Sequence, residues 1–238
     1  MKYETEKILG YKSYGSIPHL SNSKINQQAD KKIDLGQESI LTKKVRDWKD
    51  LVIVQEKLDG SNVAVAKIQG RIYALGRSGY EAKTSEYRQH QIFDSWVMKN
   101  YNRFDKLLDE GERICGEWLY QVHTLKYNLT HEPFVVFDLF LNKEIRMSYI
   151  PFLRKITISN FIPANLVHIG QPITTERAMT KLGKNGGHNC QEIPEGVVYR
   201  LERDGKFEFL AKFVREGKLD GLYMEEEIKQ INVEEYLK

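Results

Sequence analysis

The segment EKLDGSN, residues 56–62, stands between two stretches of sequence that have the pattern of β-strands. Before it, the apolar run at residues 51–54 predicts a short strand. After it, alternating side chains predict strands over 61–68 and 71–75, joined by a tight turn that contains Gly70. The segment is therefore predicted to form a turn between two strands.

Further strands and helices follow along the chain. The strands are predicted at residues 113–119, 134–140, 196–201 and 206–214, and the helices at 86–108, 148–159, 174–182 and in a polar tail from Glu225. Residues 15–19, 21–28 and the glycine-rich stretch 184–188 are predicted as loops, the last of them a mobile one. Because neighbouring strands are mostly connected as hairpins, the sequence predicts an α+β fold with antiparallel sheets.

Composition narrows the class of protein. The chain has 238 residues, a net charge of +3, 41% hydrophobic and 29% charged residues, which is typical of a folded domain that can but need not bind nucleic acid. Its two cysteines, Cys115 and Cys190, exclude a disulfide framework and a four-cysteine zinc site. No apolar run approaches ~18 residues and the polar start lacks a secretory signal, so we expect no membrane span and a cytoplasmic, intracellular location. Trp48, Trp96 and Cys115 are interpreted as core residues.

Several short motifs could carry chemistry. A lysine such as Lys57 can act as a nucleophile once it loses its proton, although a solvated lysine in an Asp-Gly turn would give the same pattern. Arg77 between two glycines suits a phosphate contact, but an ordinary turn with an exposed arginine is the alternative. A carboxylate such as Glu117, among apolar residues at a strand end, needs a partner. In chain order the motifs are EKLDG (56–60), GRSG (76–79), GEWL (116–119), FVVFD (134–138), EGVV (195–198) and AKFV (211–214).

This ordered set resembles the covalent nucleotidyltransferase superfamily, which comprises ATP-dependent DNA and RNA ligases and mRNA capping enzymes. EKLDGSN is most similar to the T4 RNA ligase 2-like RNA ligases of bacteria and phages, and the resemblance covers roughly residues 55–215, where six motifs in order are far more specific than one. It implies a nucleotidyltransferase core, similar to ATP-grasp folds, in which helices flank antiparallel sheets and the nucleotide lies in a central groove.

The resemblance also implies roles for single residues. Lys57 would attack the α-phosphate of ATP to form lysyl-AMP, with Asp59 as the catalytic acid of the motif. The implied nucleotide contacts are Glu56, Asn62, Arg77, Glu117, Phe137 and Lys212, with Ser61 beside them, and the implied Mg²⁺ or Mn²⁺ contacts are Glu195 and Glu117. Phe134 is the rival of Phe137 for stacking on adenine. The adenylate would then pass to a 5′-phosphate, and a 3′-hydroxyl would displace AMP. The resemblance therefore implies an ATP-dependent RNA ligase that acts on nicked or broken RNA ends. DNA remains possible as a second substrate.

The sequence departs from this family in two places. Val214 stands where a second lysine often occurs, and only 26 residues follow Lys212, too few for an OB-fold or a helical accessory domain. We therefore expect residues 1–238 to form a single adenylyltransferase domain, for which an accessory protein could supply the missing part. A DNA ligase, a GTP-using relative and a non-catalytic module that binds nucleic-acid ends are the alternatives. Outside the motifs, Lys83, Arg88 and Lys126 are candidate phosphate contacts, and His123 is the histidine best placed to approach the site.

Overall fold

The computed structural model describes residues 7–25, 30–217, 228–230 and 233. Its helices are α1 (Leu35–Thr42), α2 (Arg88–Lys99), α3 (Tyr101–Leu107), α4 (Tyr149–Ile158) and α5 (Thr175–Leu182). Its strands are β1 (Asp50–Lys57), β2 (Ser61–Ile68), β3 (Arg71–Gly76), β4 (Arg113–Trp118), β5 (Phe134–Phe140), β6 (Ile162–Pro163), β7 (Leu166–Gly170), β8 (Gly196–Arg203) and β9 (Lys206–Val214). Most of the tail that the sequence predicts as a helix from Glu225 lies outside the described residues.

The strands form two sheets. The first sheet has the order β7-β1-β8-β9 and is antiparallel throughout, and the second has the order β3-β2-β4-β5-β6, in which β5 and β6 alone are parallel. The predicted α+β class with antiparallel sheets is confirmed. β1 ends at Lys57 in the first sheet and β2 begins at Ser61 in the second, so the EKLDG turn carries the chain from one sheet to the other.

An aromatic core packs the helices α2 and α3 against the second sheet. Phe93, Trp96, Trp118 and Phe134 are all at most 2% exposed, with ring centroids 5.2–6.4 Å apart. The prediction of one continuous helix over 86–108 is wrong, because the helix is interrupted at Asn100, between α2 and α3. The amide of Asn100 donates to the Trp96 carbonyl at 2.9 Å, and asparagine favours such local bonds over a helix interior.

Sequence patterns also missed α1, β6 and β7 and misplaced one tryptophan. Trp96 is buried, but Trp48 is 85% exposed, so the prediction that it lies in the core is wrong. The buried carboxylate of Asp50 accepts hydrogen bonds from the backbone N–H groups of Arg46 and Asp47, each at 2.9 Å, and this fixes a surface turn that presents Trp48 to solvent. No helix in the described part of the chain has the length and hydropathy needed to cross a membrane.

Candidate active site

Residues from both sheets line one groove, with a cavity volume of about 810 Å³. The predicted site residues that line it are Glu56, Lys57, Ser61, Asn62, Arg77, Glu117, Phe137 and Lys212. Two of the predicted residues, Asp59 and Glu195, are not among the lining residues: Glu195 contacts Lys57, which lines the groove, and Asp59 binds the backbone of Thr124. Motifs that are spread over residues 56–214 of the sequence therefore come together in one groove.

Lys57 and Glu195 form an ion pair at the base of the groove. In the pairing of β1 with β8, Lys57 lies opposite Gly196, so the residue before β8 is brought beside the lysine. Lys57 Nζ donates to Glu195 Oε2 at 2.6 Å. The carboxylate is buried while the lysine side chain remains 24% exposed towards the groove. The candidate nucleophile is thus held by the carboxylate predicted for the metal site.

Glu117 pairs with Asn62 between β4 and β2, and its carboxyl group lies close enough to Lys57 for their charges to interact. Its Oε1 accepts a hydrogen bond from the Gly60 N–H at 3.2 Å. Gly60 has no room for a side chain, because a Cβ there would lie 2.7 Å from the Trp118 carbonyl oxygen. Burial raises the pKa of Glu117 to about 7, against the opposing positive charge of Lys57.

Asp59 serves as a brace beneath the turn. Its Oδ2 accepts hydrogen bonds from the backbone N–H groups of Thr124 and Leu125, at 2.8 and 2.9 Å, and its own N–H donates to Tyr127 Oη at 3.0 Å. These bonds tie the EKLDG turn to the segment that follows β4. The negative charge of Asp59 still reaches the site, where it contributes to the raised pKa of Glu117.

Lys212 lies on β9, where an N-terminal segment covers the strand. Its N–H donates to the Pro18 carbonyl and its own carbonyl accepts from Leu20 N–H, both at 2.9 Å. Burial and the positive charge of Lys57 lower the pKa of Lys212. The predicted loop at 15–19 is thus a wall of the groove, a role that its sequence did not indicate. Val214, two residues on, is buried.

On the same side of the groove, Arg77 reaches the wall formed by the N-terminal segment. Its guanidinium donates to Ser16 Oγ at 3.1 Å and remains exposed at the groove mouth. A guanidinium in that position can meet a phosphate that enters the groove from solvent.

The structure separates the two candidate stacking rings. Phe134 is fully buried in the aromatic core, whereas Phe137 is partly exposed and lines the groove. The register of β4 with β5 shifts at this point: Cys115 pairs with Asp138 and Gly116 with Val136, so Phe137 is the extra residue of a β-bulge. Bulges commonly redirect one side chain next to a functional site.

A further part of the groove was not predicted. Ser85, Tyr87 and His90, from the start of α2 and the turn before it, line the groove together with His123. His123 Nε2 lies 3.4 Å from the side chain of Gln89. This confirms the expected position of His123. By contrast, the candidate phosphate contacts Lys83, Arg88 and Lys126 are not among the lining residues of this groove.

The groove has the donor set for a nucleoside triphosphate and a mostly hydrated divalent cation. The described residues contain no cluster of three or more His, Cys, Asp or Glu side chains that could bind a metal ion. Mg²⁺ usually keeps several waters and takes one or two carboxylates in addition to substrate phosphates. Glu117 and Glu195, whose charges interact with each other and with Lys57, fit that requirement, and Lys57, Arg77 and Lys212 supply positive charge for phosphates.

Comparison with known proteins shows what this chain and its fold are similar to. The family model described as RNA ligase matches residues 50–214. Over 70 residues the chain is 30% identical to the uncharacterized protein MJ0414 of Methanocaldococcus jannaschii, covering 29% of this chain and 16% of that protein. The solved Naegleria gruberi RNA ligase with PPi aligns with a TM-score of 0.53 and 18% identity, over 70% of this chain and 50% of that chain. A variant of that ligase with ATP and Mn aligns over 84% of this chain and 61% of its own, with a TM-score of 0.53 and 15% identity. The chain thus spans about half the length of the first of these solved structures, and the likeness confirms the nucleotidyltransferase fold.

Proposed function

The chain belongs to the RNA ligase family, and we propose from this premise that it joins RNA 5′-phosphate and 3′-hydroxyl ends at the expense of ATP. The observation that carries the proposal is Lys57 in the groove, paired with the carboxylate of Glu195 at 2.6 Å and close enough to Glu117 for their charges to interact. A lysine that is paired with a carboxylate, in a groove lined by Lys212 and Arg77, suits attack on a phosphate.

The first step forms a bond between Lys57 Nζ and the α-phosphorus of ATP. The bond from that phosphorus to the bridging oxygen breaks, and pyrophosphate leaves with the electron pair. Glu195 Oε2, at 2.6 Å from Nζ, is placed to take up the proton that the ammonium group must lose before it attacks. Lys212 faces the negative charge that develops on the α-phosphate.

The later steps use the same groove. An oxygen of the RNA 5′-phosphate attacks the adenylate phosphorus and Lys57 leaves as the amine, after which the 3′-hydroxyl attacks the activated 5′ end and AMP leaves. Arg77, exposed at the groove mouth, is placed to bind the 5′-phosphate. The bulge residue Phe137 offers a face for the adenine ring, and the carboxylate of Glu56 offers an acceptor for the 6-amino group.

Glu117 and Glu195 are the residues that would hold a divalent cation, Mg²⁺ or Mn²⁺. A bound cation would supply positive charge that neutralises the phosphates and favours the uncharged form of the lysine. The two carboxylates contribute whatever the cation: Glu195 orients Lys57, and Glu117 ties its own strand to the EKLDG turn through Gly60.

The test is the intact mass of the protein after incubation with ATP and Mg²⁺. We expect an increase by one AMP, lost in Lys57→Ala and kept in Lys106→Ala, an exposed lysine of α3. The adenylated protein should then convert 5′-phosphorylated RNA to a sealed product when a 3′-hydroxyl end is present. An adduct that persists in Lys57→Ala contradicts the assigned nucleophile, and an adduct without sealing of any RNA contradicts the assigned substrate. No adduct with ATP contradicts the proposed reaction.

A further inference from the structure

The N-terminal segment, residues 11–24, runs along the groove from the second sheet to the first. Near its start, Tyr14 N–H donates to the Arg77 carbonyl, in the turn that follows β3, at 3.4 Å. At its other end, Lys24 N–H donates to the carbonyl of Val214, the last residue of β9, at 2.9 Å. β3 belongs to the second sheet and β9 to the first. The segment therefore ties the two sheets together along one wall of the groove.

The backbone is fixed on both sides of Lys12. Gly79, the last residue of the GRSG turn, has a φ of +92°, and a Cβ at this position would collide with the Tyr11 carbonyl. The segment can therefore pass against the turn only because residue 79 is a glycine. On the other side, the Ser13 carbonyl accepts a hydrogen bond from Nε of the buried Arg113 at 2.9 Å. The position of Lys12 beside the turn thus does not depend on its own side chain.

Lys12 and Arg77 are exposed cations in the lining of the groove. Within the residues that the structure describes, neither of them forms an ion pair with a carboxylate. Other cations of the lining are already committed, since Lys57 is paired with Glu195 at 2.6 Å and Arg200 with Asp138 at 3.1 Å. Lys12 and Arg77 therefore offer their positive charge to a ligand at the groove mouth.

The chemistry of this pair favours a terminal phosphate. A phosphate monoester carries a charge of about −1.5 to −2 at pH 7, whereas each internal phosphodiester carries a single negative charge. A guanidinium can bind two phosphate oxygens in parallel, and an ammonium group adds a compact charge beside it. Two neighbouring cations therefore suit the end of a chain better than its interior.

We propose that Lys12 and Arg77 jointly bind a terminal phosphate at the groove mouth, and that this ligand is the 5′-phosphate of the RNA. Because both side chains are exposed, a phosphate that is attached to a polymer can reach them from solvent. ATP is the other source of the same chemistry, but it must place its α-phosphate at Lys57, of which only 24% is exposed. The inference rests on the proposed function, in which Arg77 alone meets the 5′-phosphate. The RNA ligase family model matches residues 50–214, so Lys12 adds a contact from outside the matched part of the chain.

Equilibrium binding of two RNAs tests the inference without requiring catalysis. The probes are one oligoribonucleotide with a 5′-phosphate and the same sequence with a 5′-hydroxyl, both labelled at the 3′ end and compared at one salt concentration. Lys57→Ala is the background, so that no adenylate forms. In this background we expect the phosphorylated RNA to bind more tightly. Adding Lys12→Ala should reduce this preference about tenfold, as the loss of one charge-assisted hydrogen bond predicts, while the affinity for the 5′-hydroxyl RNA changes little.

Lys44→Ala is the matched control, because Lys44 is an exposed lysine before β1 that does not line the groove. It should keep the preference, and so should Lys12→Arg, which keeps the charge. Equal affinity for both RNAs in the background, a preference that Lys12→Ala leaves unmoved, or equal weakening of both RNAs would overturn the inference.

Calorimetric titration with ATP separates the two sources of phosphate. A loss of ATP affinity in Lys12→Ala as large as the loss for the phosphorylated RNA would assign the pair of cations to ATP and overturn the inference. Absence of an AMP adduct on the unmodified protein would overturn the proposed function instead, since the ratio of the two RNA affinities does not depend on the nucleophile.

Discussion

Glu56 should lower the stability of the folded protein above neutral pH, and Glu56→Gln should remove that effect. Burial raises the pKa of Glu56 from 4.5 to about 7, although hydrogen bonds from Gly187 and Asn165 oppose the rise. Between these two pH values the folded state keeps a proton that the unfolded state has lost. The free energy of unfolding therefore falls as pH rises through this window, and the loss is complete above about pH 7.

The magnitude follows from the same two values. Each pKa unit corresponds to about 1.36 kcal/mol, so the rise from 4.5 to about 7 amounts to about 3 kcal/mol at pH 8.5. At pH 5 most of the loss has not yet occurred, and the same linkage leaves less than about 1 kcal/mol. Glutamine has nearly the same shape as glutamate, can still accept from Gly187 N–H, and never ionises.

Urea denaturation at both pH values measures the effect. We expect Glu56→Gln to unfold at nearly the wild-type urea concentration at pH 5 and to be more stable by about 3 kcal/mol at pH 8.5. Glu144→Gln, which removes an exposed carboxylate, should match the wild type at both pH values. A stability difference that is the same at pH 5 and pH 8.5, or a variant that is less stable at pH 8.5, would refute the reasoning.

Two further predictions concern aromatic residues. Phe134→Ala should lower the free energy of unfolding by about 3–5 kcal/mol, because it empties a fully buried site, whereas Phe137→Ala should mainly weaken ATP binding. Denaturation and calorimetry on both variants distinguish the two effects. If Phe134→Ala weakened ATP binding more than Phe137→Ala, the stacking role would move to Phe134. Trp48→Ala should change the free energy of unfolding by less than about 0.5 kcal/mol, because the indole is 85% exposed; a loss above about 2 kcal/mol in denaturation would mean that the indole packs against the protein.

Local patterns predicted the strands of the site well, because each strand carries its own apolar alternation. β2 occupies the predicted residues 61–68, and β5 occupies 134–140. The prediction of one helix over 86–108 failed for a local reason. The hydrophobic spacing continues through Asn100, but the asparagine amide donates to a carbonyl of the preceding turn. The spacing of apolar residues indicates which side chains face the core, but it does not indicate such a hydrogen bond.

Trp48 shows a failure that no local pattern could have prevented. A large aromatic residue that stands directly before an apolar strand is typical of the core. Its exposure depends on Asp50, whose carboxylate binds two backbone N–H groups and is itself held by Arg203 Nε at 2.7 Å. Arg203 is separated from Asp50 by more than 150 residues of sequence. A turn that is fixed by so distant a partner cannot be inferred from the residues of the turn.

The surroundings of Glu56 escaped prediction for a related reason. Besides the Asn165 side chain, two backbone groups hold it: Gly187 N–H donates to the carboxylate and the Asn165 carbonyl accepts from Glu56 N–H. Backbone groups are present at almost every position of any sequence. What the sequence displays is an isolated glycine-rich stretch, which is equally typical of a mobile loop. The structure gives that stretch a reason for its glycines, since the loop can contact a carboxylate only where no Cβ intervenes.

Glu56 and Glu117 differ from carboxylates that stabilise the fold. Burial raises the pKa of each to about 7, so each destabilises the folded state when it ionises. Structural carboxylates such as Asp50 show the opposite: hydrogen bonds from Arg203 and the backbone hold its pKa below the usual value in spite of burial. Carboxylates that weaken the fold and border one groove, beside Lys57, are expected where the ionised form serves a ligand.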